Sequence, residues 1–137
     1  MVLWLMLACG GAPTTTSAPV VSHPTAPTAL AATSNVDVDG LKAALPAKVK
    51  LIDVRTVEEF ASGHVPGAVN IPIDVLDPQD VIQAEAFGDK SKPVYVICES
   101  GGRSARAATM LASAGYAPVD VTGGTGAWRA KGYPLDK

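Results

Sequence analysis

An apolar strand-like run, Val94-Tyr95-Val96-Ile97, passes directly into Cys98-Glu99-Ser100-Gly101-Gly102-Arg103 and then into a helix-like run from Ser104. A strand, a short glycine-bearing loop and a helix in that order restrict the architecture more than any bulk property of the chain. The two glycines let the loop curl until several backbone N–H groups point at one place. The side chain at that place is a cysteine, next to a helix start and close to an arginine. Amide donors, a helix N-terminus and a nearby cation all favour the thiolate over the thiol. A cysteine that merely closes a buried strand is ordinary packing, but this loop composition points to a reactive sulfur.

Strand-like and helix-like segments alternate on both sides of this unit. Asp39 is expected to cap a short helix through Leu41 and Leu45 that stops near Pro46. Val49–Val54 reads as a strand. Thr56, with Glu59 three places on, forms a capping box for a helix that carries Phe60 and ends at Gly63. Ala68–Ile71 returns as a short strand, and Pro78–Phe87 is predicted to be a helix with proline near its first turn. Pro93 opens the strand that delivers Cys98. In the helix that follows, Ala107, Met110, Leu111 and Ala114 share an apolar face, and Gly115 ends it. Val119–Val121 is a further strand before Gly123-Gly124 and a last helix around Trp128. Such alternation implies an α/β domain, a parallel sheet covered on both faces, whose ligands bind at the carboxyl ends of its strands. Cys98 and Asp53 both stand at such ends.

Residues 36–137 account for this single domain. The first 35 residues are a different kind of polypeptide, without one Asp, Glu, Lys or Arg. Residues 10–35, rich in Ala, Thr, Ser and Pro, read as a disordered linker. Residues 1–9 are almost wholly apolar but fall well short of the roughly 20 residues that span a bilayer as a helix. Their end, Met6-Leu7-Ala8-Cys9, resembles the processing box of bacterial lipoproteins, whose cysteine is acylated. No positive stretch precedes it, so the segment is read as a truncated or atypical lipoprotein-type signal; the alternative is an accidental resemblance, with Cys9 a stray thiol. The expectation is a lipid-anchored protein of the bacterial cell envelope facing the periplasm or exterior; a soluble periplasmic or secreted form is the alternative. With Cys9 used in this way, Cys98 has no partner for a disulfide. A formal net charge of −2 and the lack of a Lys/Arg-rich block argue against a nucleic-acid partner. His23 stands alone in the linker and suggests no metal site.

From about Asp37 onward the chain resembles the single-domain rhodaneses, thiol sulfurtransferases. The resemblance rests on Leu51-Ile52-Asp53-Val54-Arg55, Glu59-Phe60, the run from Gly63 to Pro72, the Cys98 loop, and Gly123-Gly124 with Trp128, Gly132 and Pro134, in the family's order. It implies a five-stranded parallel sheet with helices on both faces. It also implies a reaction in which the Cys98 thiolate attacks the outer sulfur of thiosulfate, a persulfide or a polysulfide. The resulting Cys98 persulfide would then pass that sulfur to a thiol, to cyanide or to a protein acceptor. The loop residues Glu99, Ser100, Gly101, Gly102, Arg103 and Ser104 would surround the substrate, with Arg103 and the loop amides stabilising anionic sulfur. Ser100 and Ser104 are placed to donate to sulfur, although helix capping is the simpler role for Ser104. Asp53 is expected to hold nearby backbone or Arg55, and His64 and Trp128 to be structural. No metal or organic cofactor is implied, and a monomer is expected.

Rival functions are weighed against the same residues. Phosphatases and arsenate reductases that share a Cys…Arg anion loop place five residues between the two, whereas four separate Cys98 from Arg103, which suits a smaller group. A non-catalytic binding module has no need of this complete loop. An envelope sulfur or redox relay is a further alternative. Glu99 raises one specific expectation: its charge beside the nucleophile should disfavour dianionic thiosulfate, so Glu99→Arg should improve thiosulfate turnover.

Overall fold

A computed structural model describes residues 33–137. The expectations for Met1–Cys9, for acylation of Cys9 and for His23 lie outside the described residues, as does nearly all of the linker. The elements in chain order are β1 (Ser34–Val36), α1 (Val38–Ala44), a 3-10 turn (Leu45–Ala47), β2 (Lys50–Asp53), α2 (Val57–Ser62), β3 (Val69–Asn70), α3 (Ala84–Phe87), β4 (Pro93–Ile97), α4 (Gly102–Ser113), β5 (Ala117–Val121) and α5 (Gly124–Ala130). The five strands form one sheet in the order β1-β5-β4-β2-β3, with every pairing parallel. The α/β class and the covered parallel sheet are therefore as the alternation implied. β1 takes in Ser34 and Asn35, which lie on the linker side of the expected boundary at residue 36.

The sheet separates two cores, as the period-2 alternation of strand side chains requires. Ile52, Val94, Val96 and Cys98 face Ala107 and Leu111 of α4 and Phe87 of α3 on one side. Leu51, Ile97 and Val121 face Val38 and Leu41 of α1 and Trp128 of α5 on the other. Trp128 is thus the core anchor expected of it, buried and donating its indole N–H to Pro134 O at 2.8 Å. His64 is structural too: it stacks on Phe60 at 3.7 Å and exchanges backbone hydrogen bonds with Asp136.

Three local expectations are corrected. The cap of α1 is Asp37, which accepts from Gly40 N at 2.8 Å, because β1 ends only one residue earlier and the helix begins at once. Asp39 is instead paired with Lys131 and Tyr133. The helix expected over Pro78–Phe87 shrinks to Ala84–Phe87. Asp77 and Asp80 turn back on the backbone N–H of Gln79 and Ile82, at 2.9 and 2.7 Å, and these local bonds compete with helix formation. Finally, α4 begins at Gly102, not at Ser104.

Candidate active site

Every strand delivers its last residues to one end of the sheet, and the predicted site assembles there. β4 ends at Ile97, so Cys98 is the first residue past the strand; it is buried, with its sulfur in the core cluster beneath α4. Gly101 takes φ +116°, a conformation that favours glycine, and its N–H then donates to Cys98 Sγ at 3.0 Å. In the thiol form Sγ–H donates to Ser104 Oγ at 3.5 Å while that hydroxyl donates to Gly101 O at 3.0 Å; toward the thiolate the same hydroxyl can turn and donate to Sγ. Ser104 is therefore not the helix cap that the sequence suggested. It lies buried in the first turn of α4, and its hydroxyl faces the sulfur and the loop.

Two opposed influences act on the thiol. Burial raises its pKa, while the Ser104 hydroxyl and the N–H groups of Ser104, Gly101 and Ser100 lower it, and the hydrogen bonds prevail. The net direction is below the ordinary thiol value of 9.0. Gly102 contributes room: a Cβ built on it meets nothing within 4 Å.

The charged residues around the loop are mostly engaged with one another. Asp53 and Arg55 form a wholly buried pair, with Arg55 Nη2 2.8 Å from Asp53 Oδ2 and Arg55 N–H also donating to Oδ1. Arg55 Nη2 reaches Gly63 O as well, and Asn70 Nδ2 donates to the carbonyls of both Asp53 and Arg55. These bonds put Asp53 in a buried network that holds Arg55 and the backbone beside it. From this buried platform Arg55 Nη1 reaches Glu99 Oε2 at 3.2 Å, while Arg129 Nη1 holds Glu99 Oε1 at 2.9 Å. Two arginines thus compensate the Glu99 carboxylate. Glu99 is thus not the uncompensated charge expected beside the nucleophile: it ties the loop to Arg55, just past β2, and to Arg129 of α5.

Arg103 is tied in the same manner. Its guanidinium meets both oxygens of Glu59 at 2.6 and 2.8 Å, remaining about one-third exposed. Glu59 also closes the Thr56 capping box, through bonds of 3.0 and 3.2 Å. The Arg103 bond is the main reason its carboxyl is lowered to about 2. Arg103 also feels the Cys98 charge, so it is a cation beside the loop, positioned by Glu59.

The sequence did not disclose what supports the loop from below. Thr125 N–H donates to Cys98 O at 2.8 Å and Gly126 N–H to Glu99 O at 2.9 Å, so the first turn of α5 grips the loop backbone. A Cβ on Gly124 would lie 2.3 Å from Cys98 O and 2.6 Å from Glu99 O, which explains the second glycine of Gly123-Gly124. The signal was the motif itself, but its partner could not be read from it.

A parallel α/β sheet presents one buried sulfur to converging amides at the start of a helix, an arrangement that favours the thiolate, the form in which a cysteine is nucleophilic. Comparison with known proteins makes this specific. Residues 37–131 match the rhodanese-like domain model. Thiosulfate sulfurtransferase 16, chloroplastic, of Arabidopsis thaliana is 39% identical over an alignment covering 62% of this chain and 78% of that protein. Thiosulfate sulfurtransferase GlpE of Pseudomonas savastanoi is 38% identical, covering 61% and 74%. A rhodanese-related protein from Thermoplasma volcanium superposes with a TM-score of 0.63 at 30% identity, over 75% of this chain and 97% of that one. The chain belongs to the rhodanese-like domain family.

Proposed function

We propose that the protein is a sulfurtransferase working through a Cys98 persulfide. The Cys98 thiolate attacks the outer sulfur of thiosulfate, a persulfide or a polysulfide. A new S–S bond forms, the donor's S–S bond breaks, and sulfite or a thiolate leaves with the electron pair. The outer sulfur of the persulfide carries partial negative charge, which the loop N–H groups are placed to stabilise. An acceptor thiolate or cyanide then attacks that outer sulfur and regenerates the Cys98 thiolate. The observation that carries this reading is the 3.0 Å bond from Gly101 N–H to Cys98 Sγ, inside a loop with four residues between Cys98 and Arg103. Similarity to proteins named thiosulfate sulfurtransferases supports the same chemistry.

Mass spectrometry of the intact protein after thiosulfate or polysulfide treatment tests it. A gain of one sulfur atom on Cys98 is expected, removable by a thiol, and absent in Cys98→Ser. No gain with any donor refutes the reading. We also propose that Cys9 is acylated and tethers the domain to the cell envelope; Cys9→Ser should then move the protein from the membrane fraction to the soluble one.

A further inference from the structure

The end of the sheet remote from Cys98 carries a second surface, which sulfur transfer does not use. Because the strands are parallel, their registers put Ser34, Leu51, Tyr95 and Val119 at one level, with the strand starts gathered there. A groove of about 740 Å³ opens at this end. Leu45, Pro46, Val49, Pro66, Val69 and Pro134 give it an apolar lining, and Lys42, Lys48 and Lys50 stand along it. Lys92 shares an adjoining cleft with Lys48 and Lys50, where Asp89 offsets one of the charges. Lys90 reaches the C-terminal end of α4 through Ala114 O. Five of the seven lysines therefore lie at this end, all exposed. Among the described residues none of the five forms an ion pair.

We propose that this end is a docking surface for the anionic phosphates of a lipid bilayer. Ammonium groups without a carboxylate partner, Lys42 and Lys90 resting over the rings of Tyr133 and Tyr116, attract a negatively charged leaflet and act together within a Debye length. The apolar lining between them is the kind of surface an interfacial protein seats at headgroup depth, with lysine stems lying over it. Thr33 leads into the first residue of β1, so the chain enters the domain on the lysine side. An N-terminal tether therefore arrives where the lysines are, and Cys98, at the far ends of the strands, faces away from the membrane. An acidic protein would satisfy the same charges, but the apolar groove and the point where the chain enters favour the bilayer. The location of this event rests on the proposed anchor; the lysine surface does not depend on the chemistry of Cys98.

The test uses the full-length chain carrying Cys9→Ser, so that no acyl group contributes, and flotation with two vesicle types. Vesicles of phosphatidylcholine with about one-third phosphatidylglycerol should bind at least about tenfold more protein than phosphatidylcholine alone. That preference should vanish as salt is raised from about 0.05 to about 0.5 M. Replacing Lys42, Lys48, Lys50 and Lys92 together by Gln should abolish it, while Arg106→Gln, at the other end, should retain it. Equal binding to both vesicles, no binding to either, or an anionic preference that survives the four lysine substitutions each overturns the proposal. Sulfur loading of Cys98 in solution should be unchanged in the lysine variant. A failure of docking is thereby distinguished from a failure of transfer, and membrane fractionation of the Cys9→Ser protein in about 0.5 M salt, where the lysines are screened, tests the anchor separately.

Discussion

At the carboxyl ends of the strands the positive charge is carried by arginines, and three of the four are paired: Arg55 with Asp53 and Glu99, Arg103 with Glu59, Arg129 with Glu99. At the amino ends it is carried by lysines, and none of the five there is paired among the described residues. The choice of residue follows the use. A planar guanidinium fixes two carboxylate oxygens or spans two partners, which suits a group that must hold a loop still; an ammonium is a mobile point charge. The comparison also locates the source of the field at the sulfur. Three guanidinium groups face three carboxylates around the Cys98 loop, so paired side chains leave little net charge. The backbone N–H groups and the Ser104 hydroxyl supply most of what favours the thiolate.

This contrast is broken most severely by removing a buried arginine. Arg55→Met should leave Asp53 as an uncompensated buried charge and cost about 3–5 kcal/mol in urea unfolding. Asp53→Asn in the same chain should recover part of that loss, since the two residues are coupled. Any single lysine at the other end, replaced by Gln, should change stability by less than about 0.5 kcal/mol. An Arg55→Met protein as stable as the parent would mean that the paired end is not organised as described.

Gly124→Ala comes next. The added methyl would press on the carbonyls of Cys98 and Glu99 at a residue with φ +61°, so loop and helix must part. The expected cost is about 2–4 kcal/mol. Persulfide formation should slow by about 100-fold, as when a reacting group moves by about 1 Å. Gly126→Ala, whose Cβ would sit 3.0 Å from Glu99 O, should be much milder. Equal rates in the two variants would sink the idea that α5 positions the loop.

Ser104→Ala has a smaller and more specific effect. Its hydroxyl is the largest of the influences that lower the thiol pKa. Without it, the inflection of an alkylation-rate profile against pH should move upward, and the neutral-pH rate should fall by about 3–10-fold, the order of one hydrogen bond. An unmoved inflection would assign the serine to packing alone.

What the sequence disclosed and what it hid divide along chain distance. The Cys98 loop was legible because its decisive bond, Gly101 N–H to Sγ, spans three residues, and the Thr56–Glu59 capping box for the same reason. Parallel topology followed from alternation, and the place of Asp53 at a strand end was enough to expect it to hold nearby backbone or Arg55. The ties of Glu59 to Arg103 and of Glu99 to Arg55 each join residues 44 positions apart and depend on how strands stack. No local pattern encodes that. Glu99 therefore looked like a free charge beside the nucleophile. Placing an arginine there would confront Arg55 and Arg129 with a third cation, so the expected gain of Glu99→Arg with thiosulfate no longer follows from the charge of Glu99 alone. The helix expected from Pro78 failed for the opposite reason, since Asp77 and Asp80 satisfy neighbouring amides locally and their apolar neighbours Val81 and Ile82 remain exposed.

The smallest effect tests the partly exposed tie, where the two ends of the molecule should differ least. The Glu59 carboxyl is lowered from 4.5 to about 2, chiefly by its bond to Arg103. A lowered carboxyl binds its proton less readily when folded than when unfolded, so its contribution to stability is full above about pH 4.5. It should fade as pH falls through about 2. Both side chains are about one-third exposed, so solvent screening keeps that contribution below about 1 kcal/mol. Glu59→Gln keeps a side chain able to complete the capping box and removes the charge together with one of the two acceptors that hold Arg103. Its stability should fall below the parent's at neutral pH, converge with it in acid, and show a smaller dependence on salt. If the two acid-unfolding curves run parallel down to pH 2, the tie adds nothing to folding. Arg103 would then be held beside the loop by its place on α4 alone.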